Sequence, residues 1–139
     1  MKQINKYIWG HLKNPNFSIV ERLHINKDTG NYHYNYHPKT NDELKELVKK
    51  LISKRGDNCN LNDIDTSEIT DMDCIFDKSN FNGDISNWDV SNVQYMDYMF
   101  AYTEFNRDIS NWDVSNVTDI RHMFDKSPLE KNPPKWYKY

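Results

Sequence analysis

Residues 81–104 and 105–128 are two copies of one 24-residue unit, FNGDISNWDVSNVQYMDYMFAYTE and FNRDISNWDVSNVTDIRHMFDKSP. A third, more diverged copy precedes them. Moving back by 24 sets Asn82 on Asn58, Ile85 on Leu61, Trp88 on Ile64, Val90 on Thr66, Val93 on Ile69, Met96 on Met72, Met99 on Ile75 and Phe100 on Phe76. Every apolar position stays apolar except Thr66. A unit of this length cannot bury its apolar face alone, so copies at a fixed period stack and complete one another's core.

Within a copy the apolar residues fall into two groups. Ile85, Trp88 and Val90 follow the pattern LxxIxI, which predicts a short strand with Trp88 and Val90 turned inward and Asp89 outward. Val93, Met96, Met99 and Phe100 step at i, i+3, i+6 and i+7, the spacing of one face of a short helix, with Ser91 or Asn92 placed to cap it. The expected fold is therefore α/β, a short leucine-rich-repeat solenoid of about three 24-residue repeats. Parallel strands and short helices form each repeat, and an amino-terminal β-hairpin and amphipathic helix precede them. Asn58, Asn82 and Asn106 recur just before the expected strands, where stacked amides would satisfy buried backbone groups.

The string FNxDISxWDVSNVTxMxxMF, carried by residues 81–100 and 105–124, closely resembles the repeat of the BspA-like leucine-rich-repeat surface proteins, also called the mycoplasma-type lipoprotein repeat. The resemblance extends over about residues 36–128, because the segment before the repeats is similar to the lead-in of short members. It implies a repeat fold and no shared catalytic residues. Similar proteins are mostly described as adhesins, which makes a surface adhesin or structural repeat protein the alternative reading. One departure is that the chain has no lipid-anchor cysteine near its start.

Three segments are expected along the chain: 1–56 as a hairpin and capping-helix subdomain, 57–128 as the solenoid, and 129–139 as a carboxy-terminal cap. Residues 3–12 have helical spacing. Residues 17–26 and 31–37 are rich in β-branched and aromatic side chains around Lys27-Asp28-Thr29-Gly30, a hairpin signal whose register stays open. Residues 40–55 predict the clearest helix, with Thr40 and Glu43 as a capping box, Leu44, Leu47, Val48, Leu51 and Ile52 as its apolar stripe, and Gly56 as its stop. That helix is expected to close the open end of the first repeat. In the tail, Trp136 lies 24 residues after Trp112 and Leu129 lies 24 after Phe105, while Pro133 and Pro134 prevent a regular new repeat.

No run of 18 apolar residues is present and residues 1–17 lack the pattern of a signal peptide, so the expectation is a cytoplasmic protein without membrane contact. Cys59 and Cys74 read as reduced thiols. Charge is unevenly spread. Residues 1–56 carry eleven Lys or Arg against five Asp or Glu, a net of +6, and residues 57–139 carry seven against sixteen, a net of −9. Such asymmetry steers association with a charged partner.

Enzyme motifs are missing: there is no phosphate-binding glycine loop, GxSxG or HExxH, and only four Gly occur. The chain reads as non-enzymatic, with no cofactor. His24, His33 and His37 are weak metal-ligand candidates from the expected hairpin; they make a histidine-metal enzyme a third, disfavoured alternative, since they lack a set of rigid partners. Asp65, Asp89 and Asp113 occupy the outward strand position and would line up on stacked repeats, either satisfied locally by backbone donors or forming an acidic ladder for a basic partner. On the opposite group, equivalent positions carry Asp71, Tyr95 and Asp119, then Cys74, Tyr98 and His122, then Lys78, Tyr102 and Lys126. Only the middle repeat places tyrosine at all three. Tyr95, Tyr98 and Tyr102 are therefore binding candidates, or else the tail or hairpin packs over them.

These features point to a protein-protein interaction module that acts by binding or occluding a partner. One concrete form is a phage or mobile-element inhibitor of a host defence nuclease, whose acidic surface engages a basic nucleic-acid channel. Direct binding to nucleic acid is disfavoured, since the basic segment lacks interleaved aromatics. The oligomeric state stays open.

Overall fold

The computed structural model describes residues 34–138. Its order is a helix α1 (Asn41–Arg55), three stacked 24-residue coils over 57–80, 81–104 and 105–128, and a tail that contains a 3-10 turn at Pro128–Glu130. The expected residues 3–12 helix and nearly all of the hairpin, including His24 and His33, lie outside the described residues.

The coils are not built from strands and helices. Among the described residues α1 is the only α-helix, no run of residues forms a strand, and inter-coil pairing amounts to isolated parallel bridges such as Asp71 with Tyr95 and Tyr95 with Asp119. This corrects the expectation of an α/β leucine-rich-repeat solenoid with parallel strands and short helices. Each coil is instead a chain of four-residue turns. In the second coil Trp88 N donates to Ile85 O (3.1 Å), Val93 N to Val90 O (3.0 Å) and Met99 N to Met96 O (3.3 Å), and the Thr103 hydroxyl closes a fourth turn onto Phe100 O (2.8 Å). The first and third coils repeat these turns at the equivalent residues. An i, i+3 apolar spacing suits a β-turn as well as a helix, because a closed turn also brings its first and fourth residues to one side. Ser91 N donates to the Asp89 carboxylate (3.0 Å), so neither Ser91 nor Asn92 caps a helix.

What prevents helix is the backbone. The third residue of two turns in every coil has positive φ: Cys74 and Lys78, Tyr98 and Tyr102, His122 and Lys126, all between 55° and 63°. None is glycine, and each such residue costs on the order of 1–2 kcal/mol unless neighbours hold it. For Cys74, Lys78 and Tyr102 the neighbour is the next coil, and for Lys126 it is Glu130, whose Oε2 accepts from Lys126 N (3.2 Å). Cys74 N donates to Asp97 O (3.0 Å), Phe76 N to Met99 O (3.0 Å), Lys78 N to Ala101 O (2.9 Å) and Tyr102 N to Asp125 O (2.8 Å), so the chain above dictates the turn below.

Equivalent side chains stack through the core. Phe76, Phe100 and Phe124 are spaced 5.5 and 5.9 Å between ring centres and nearly parallel, and Phe81 lies over Phe105 at 6.0 Å. Thr66, the one polar residue in an apolar column, is buried and gives its hydroxyl proton to Asp89 O (2.9 Å). Gly83 is required by a close approach, since a Cβ there would lie 1.9 Å from Cys59 O. The expected Asn58, Asn82 and Asn106 ladder is present in one step, Asn106 N to Asn82 Oδ1 at 2.9 Å. A clearer amide ladder runs elsewhere: Asn92 Nδ2 donates to Ser67 O (2.8 Å) and Asn116 Nδ2 to Ser91 O (2.7 Å).

Helix α1 covers the first coil with Leu44, Val48 and Leu51 buried, Thr40 accepting from Glu43 N, and Gly56 N returning to Ile52 O. Both ends are tied down. Asn41 Nδ2 lies within 3.1 Å of Asp71 O and 3.0 Å of Asp73 O, and Arg55 holds the buried Asp63 with two bonds of 2.9 and 3.0 Å.

Candidate functional site

The positive-φ turns place Tyr98 and Tyr102 on the outside of the second coil, and the bridge column places Tyr95 beside them. Tyr95 is 42% exposed and Tyr102 53%, and these are the exposed large apolar side chains among the described residues. Tyr98 is half-buried, its ring stacked on His122 at 4.8 Å and 15°. No helix carries the three tyrosines, so the helical spacing from which a shared face was expected does not apply; Tyr98 and Tyr102 are close enough to interact electrostatically. In the described part of the tail, Trp136 and Tyr137 pack on Trp112 and Phe124, and Lys138 lines a recess with Tyr95; the expected covering by the hairpin falls outside the described residues.

Carboxylates and cations both border these side chains: Asp97, Asp125 and Asp77 lie near Tyr98, Lys78 and Lys126 hold the positions equivalent to Tyr102, and Arg121 and Lys138 line a recess with Tyr95. Burial pushes the Asp73 carboxyl up, and Asp71, Asp97 and Asp119 add to that effect. Asp97 is raised by burial and by Asp119, and its Oδ1 is a buried oxygen without a hydrogen-bond partner, as is Asp77 Oδ1. Asp119 lies lower than an ordinary carboxyl because Arg121 donates to it (3.2 Å). Burial first, then Asp97 and Asp125, push the Tyr98 phenol up, so the ring keeps its proton.

Asp65, Asp89 and Asp113 recur at one position on the other side of the coil, each accepting a backbone N–H two residues on: Ser67 (3.0 Å), Ser91 (3.0 Å) and Ser115 (3.1 Å). Burial alone would raise Asp65, but the bonds from Ser67 and His37 outweigh it and hold it low; the Ser115 hydroxyl and N–H do the same for Asp113. Their carboxylates shape turns locally, an arrangement that Asp makes readily with its own backbone. His37 Nδ1 sits 3.3 Å from Asp65 Oδ2 on an exposed edge, and its proposed partners His24 and His33 lie outside the described residues. Among the described residues no group of three His, Cys, Asp or Glu is placed to hold a metal. Cys59 and Cys74 are half-buried free thiols, both raised by burial.

Sequence reasoning missed the orphan oxygens of Asp77 and Asp97 and the stacking of Tyr98 on His122. Only the second had a signal, the 24-residue offset between an aromatic and an imidazole. Among the described residues no helix is long and apolar enough to cross a membrane.

No curated protein and no solved structure matches the chain. Residues 43–137, which include most of α1, all three coils and nearly the whole tail, match the family described as "Mycoplasma protein of unknown function, DUF285", and the chain belongs to that family.

Proposed function

We propose that this protein is a non-enzymatic binding module that docks a basic surface of a partner protein onto the Tyr95, Tyr98 and Tyr102 face. The observation that carries this reading is the exposure of Tyr95 and Tyr102, 42% and 53%, with Asp97, Asp125 and Asp77 near Tyr98 between them in sequence. Tyrosines supply large contact area with only two rotatable side-chain bonds, and here the turns that carry them are already fixed by the coil above, which lowers the ordering cost of binding. Lys and Arg of a partner would meet ring faces and aspartates together.

Occlusion of a nuclease's basic nucleic-acid channel is one form of this activity, supported by the net charge of −9 over residues 57–139. The unpaired Cys59 and Cys74 support action in a reducing, cytoplasmic setting. The DIS and WDVSN strings of the second and third coils support a likeness to BspA-like repeats.

The test is affinity capture from the native cell with the tagged protein and with a Tyr95→Ala/Tyr102→Ala variant, followed by mass spectrometry and salt elution. The reading expects a basic protein retained by the wild type, released by salt, and lost from a variant of unchanged melting temperature. Identical capture by both proteins would contradict it.

A further inference from the structure

Among the described residues, the carboxy-terminal end of the stack is covered over only part of its width. Trp136 lies on Trp112, and Tyr137 meets Phe124 edge-on at 4.9 Å. Between them Val114, Val117 and Ile120 remain partly exposed, although the equivalent residues one coil earlier, Val90, Val93 and Met96, are 2%, 0% and 0% exposed.

The backbone is open at the same place. Gln94 N donates to Thr70 O (2.8 Å) and Thr118 N to Gln94 O (2.8 Å), while Met72 N donates to Tyr95 O (2.7 Å) and Met96 N to Asp119 O (2.9 Å). One further rung would give an N–H to Thr118 O and accept from Ile120 N, and among the described residues neither group has a partner. A recess of about 580 Å³ lies over this spot, lined by Val117, Asp119, Ile120, Arg121 and Lys138 among others.

The geometry points to this edge as the docking site for an extended segment of a partner protein, added in parallel as the next rung. Main-chain pairing to an exposed edge supplies affinity, and the side-chain pattern supplies specificity. The pattern required is the one the coils themselves use here, two polar residues between two apolar ones, as in Val93-Gln94-Tyr95-Met96 on Val117-Thr118-Asp119-Ile120. A second copy of the chain fits less well. Its amino-terminal end is closed by α1, so head-to-tail stacking is blocked, and two-fold pairing of this edge with itself would set Asp119 opposite Asp119. The site is separate from the tyrosine face except for Tyr95, which borders both.

The probe is a synthetic peptide of residues 114–124, VSNVTDIRHMF, which within the chain already seats on Val90, Val93 and Met96. It is titrated into the isotope-labelled full chain. Saturable shifts at residues 117–120, slowed exchange of the Ile120 amide, and affinity about tenfold weaker for a folded Val117→Asp variant are expected, the last equivalent to placing one charge in an apolar contact. Absence of any shift at residues 117–120, or shifts confined to Tyr98 and Tyr102, overturns the assignment. So does a concentration-dependent dimer that protects the Ile120 amide without peptide. Because the readout is residue by residue, this can fail while capture through the tyrosine face succeeds, and the reverse.

Discussion

Trp136 lies on Trp112 with 6.5 Å between ring centres and 13° between planes, and its indole N–H donates to Ile109 O at 2.9 Å. Trp88 makes the same bond to Leu61 O, also at 2.9 Å. The tail thus reuses one side chain of a coil to close the stack without making a further coil. The Trp112 N–H, buried between these two, has no acceptor. Replacing Trp136 with Ala should remove about 2 kcal/mol or more of stability, and Phe, which keeps the stacking and loses the hydrogen bond, about 1 kcal/mol. Denaturant titration of the three proteins measures this.

Arg55 and Asp63 join α1 to the first coil. The Asp63 side chain is 2% exposed and receives both guanidinium bonds, so Arg55→Met leaves a buried carboxylate with one of its main partners removed. A loss of about 3 kcal/mol is expected, well above the effect of removing a surface charge. Lys39→Met is the control, since its pair with Glu68 is exposed and should contribute little.

Tyr102 combines an exposed ring with φ of 56°. Glycine tolerates that backbone and valine does not. Tyr102→Gly should leave the melting temperature close to wild type while weakening partner binding. Tyr102→Val should lower stability through the added crowding of a β-branched side chain at positive φ, beyond the left-handed cost that tyrosine already bears. Thermal melts separate the two effects.

Asp97 and Asp65 should respond to pH in opposite senses. The folded pKa of Asp97 is raised by burial and Asp119, so its contribution is present when it is protonated at low pH and is lost as pH rises through the folded value. Asp65 is held low by Ser67 and His37 against its burial, so its contribution is present above the unfolded value and is lost as pH falls. Asp97→Asn should therefore gain stability at neutral pH, with the gain shrinking toward about pH 4, and Asp65→Asn should lose stability at neutral pH, with the loss shrinking on acidification. Melting temperatures across that range provide the check.

The period, the inward columns and the capped helix could be read from the sequence because each leaves a mark in apolar spacing or in a capping pair: Leu61, Ile85 and Ile109 for the columns, Thr40 and Glu43 for the helix. The internal build of a coil could not be read from spacing alone. Val93, Met96, Met99 and Phe100 have a pattern that helix and β-turns share, and positive φ at Cys, Lys, Tyr and His has no compositional mark of the kind that Gly or Asn would leave. One available sign pointed to turns: of seven Asp-x-Ser strings, those at Asp65, Asp84, Asp89, Asp108 and Asp113 have the serine N–H donating to the aspartate, while Ser79 and Ser127 close turns onto Phe76 O and Phe124 O instead. For the site, the repeat offset singled out Tyr95, Tyr98 and Tyr102, whereas the single face expected for them rested on a helical spacing that no helix carries. Which of them would be exposed depended on His122 stacking on Tyr98, a relation between coils that one coil's sequence does not contain.

Proton–proton contacts in solution test the stacked arrangement most directly. Cross-peaks between the rings of Tyr98 and His122, and between those of Phe76 and Phe100, are predicted together with an absence of helical amide contacts over residues 93–100. Helical contacts over those residues, or rings of Tyr98 and His122 that do not meet, would contradict the account.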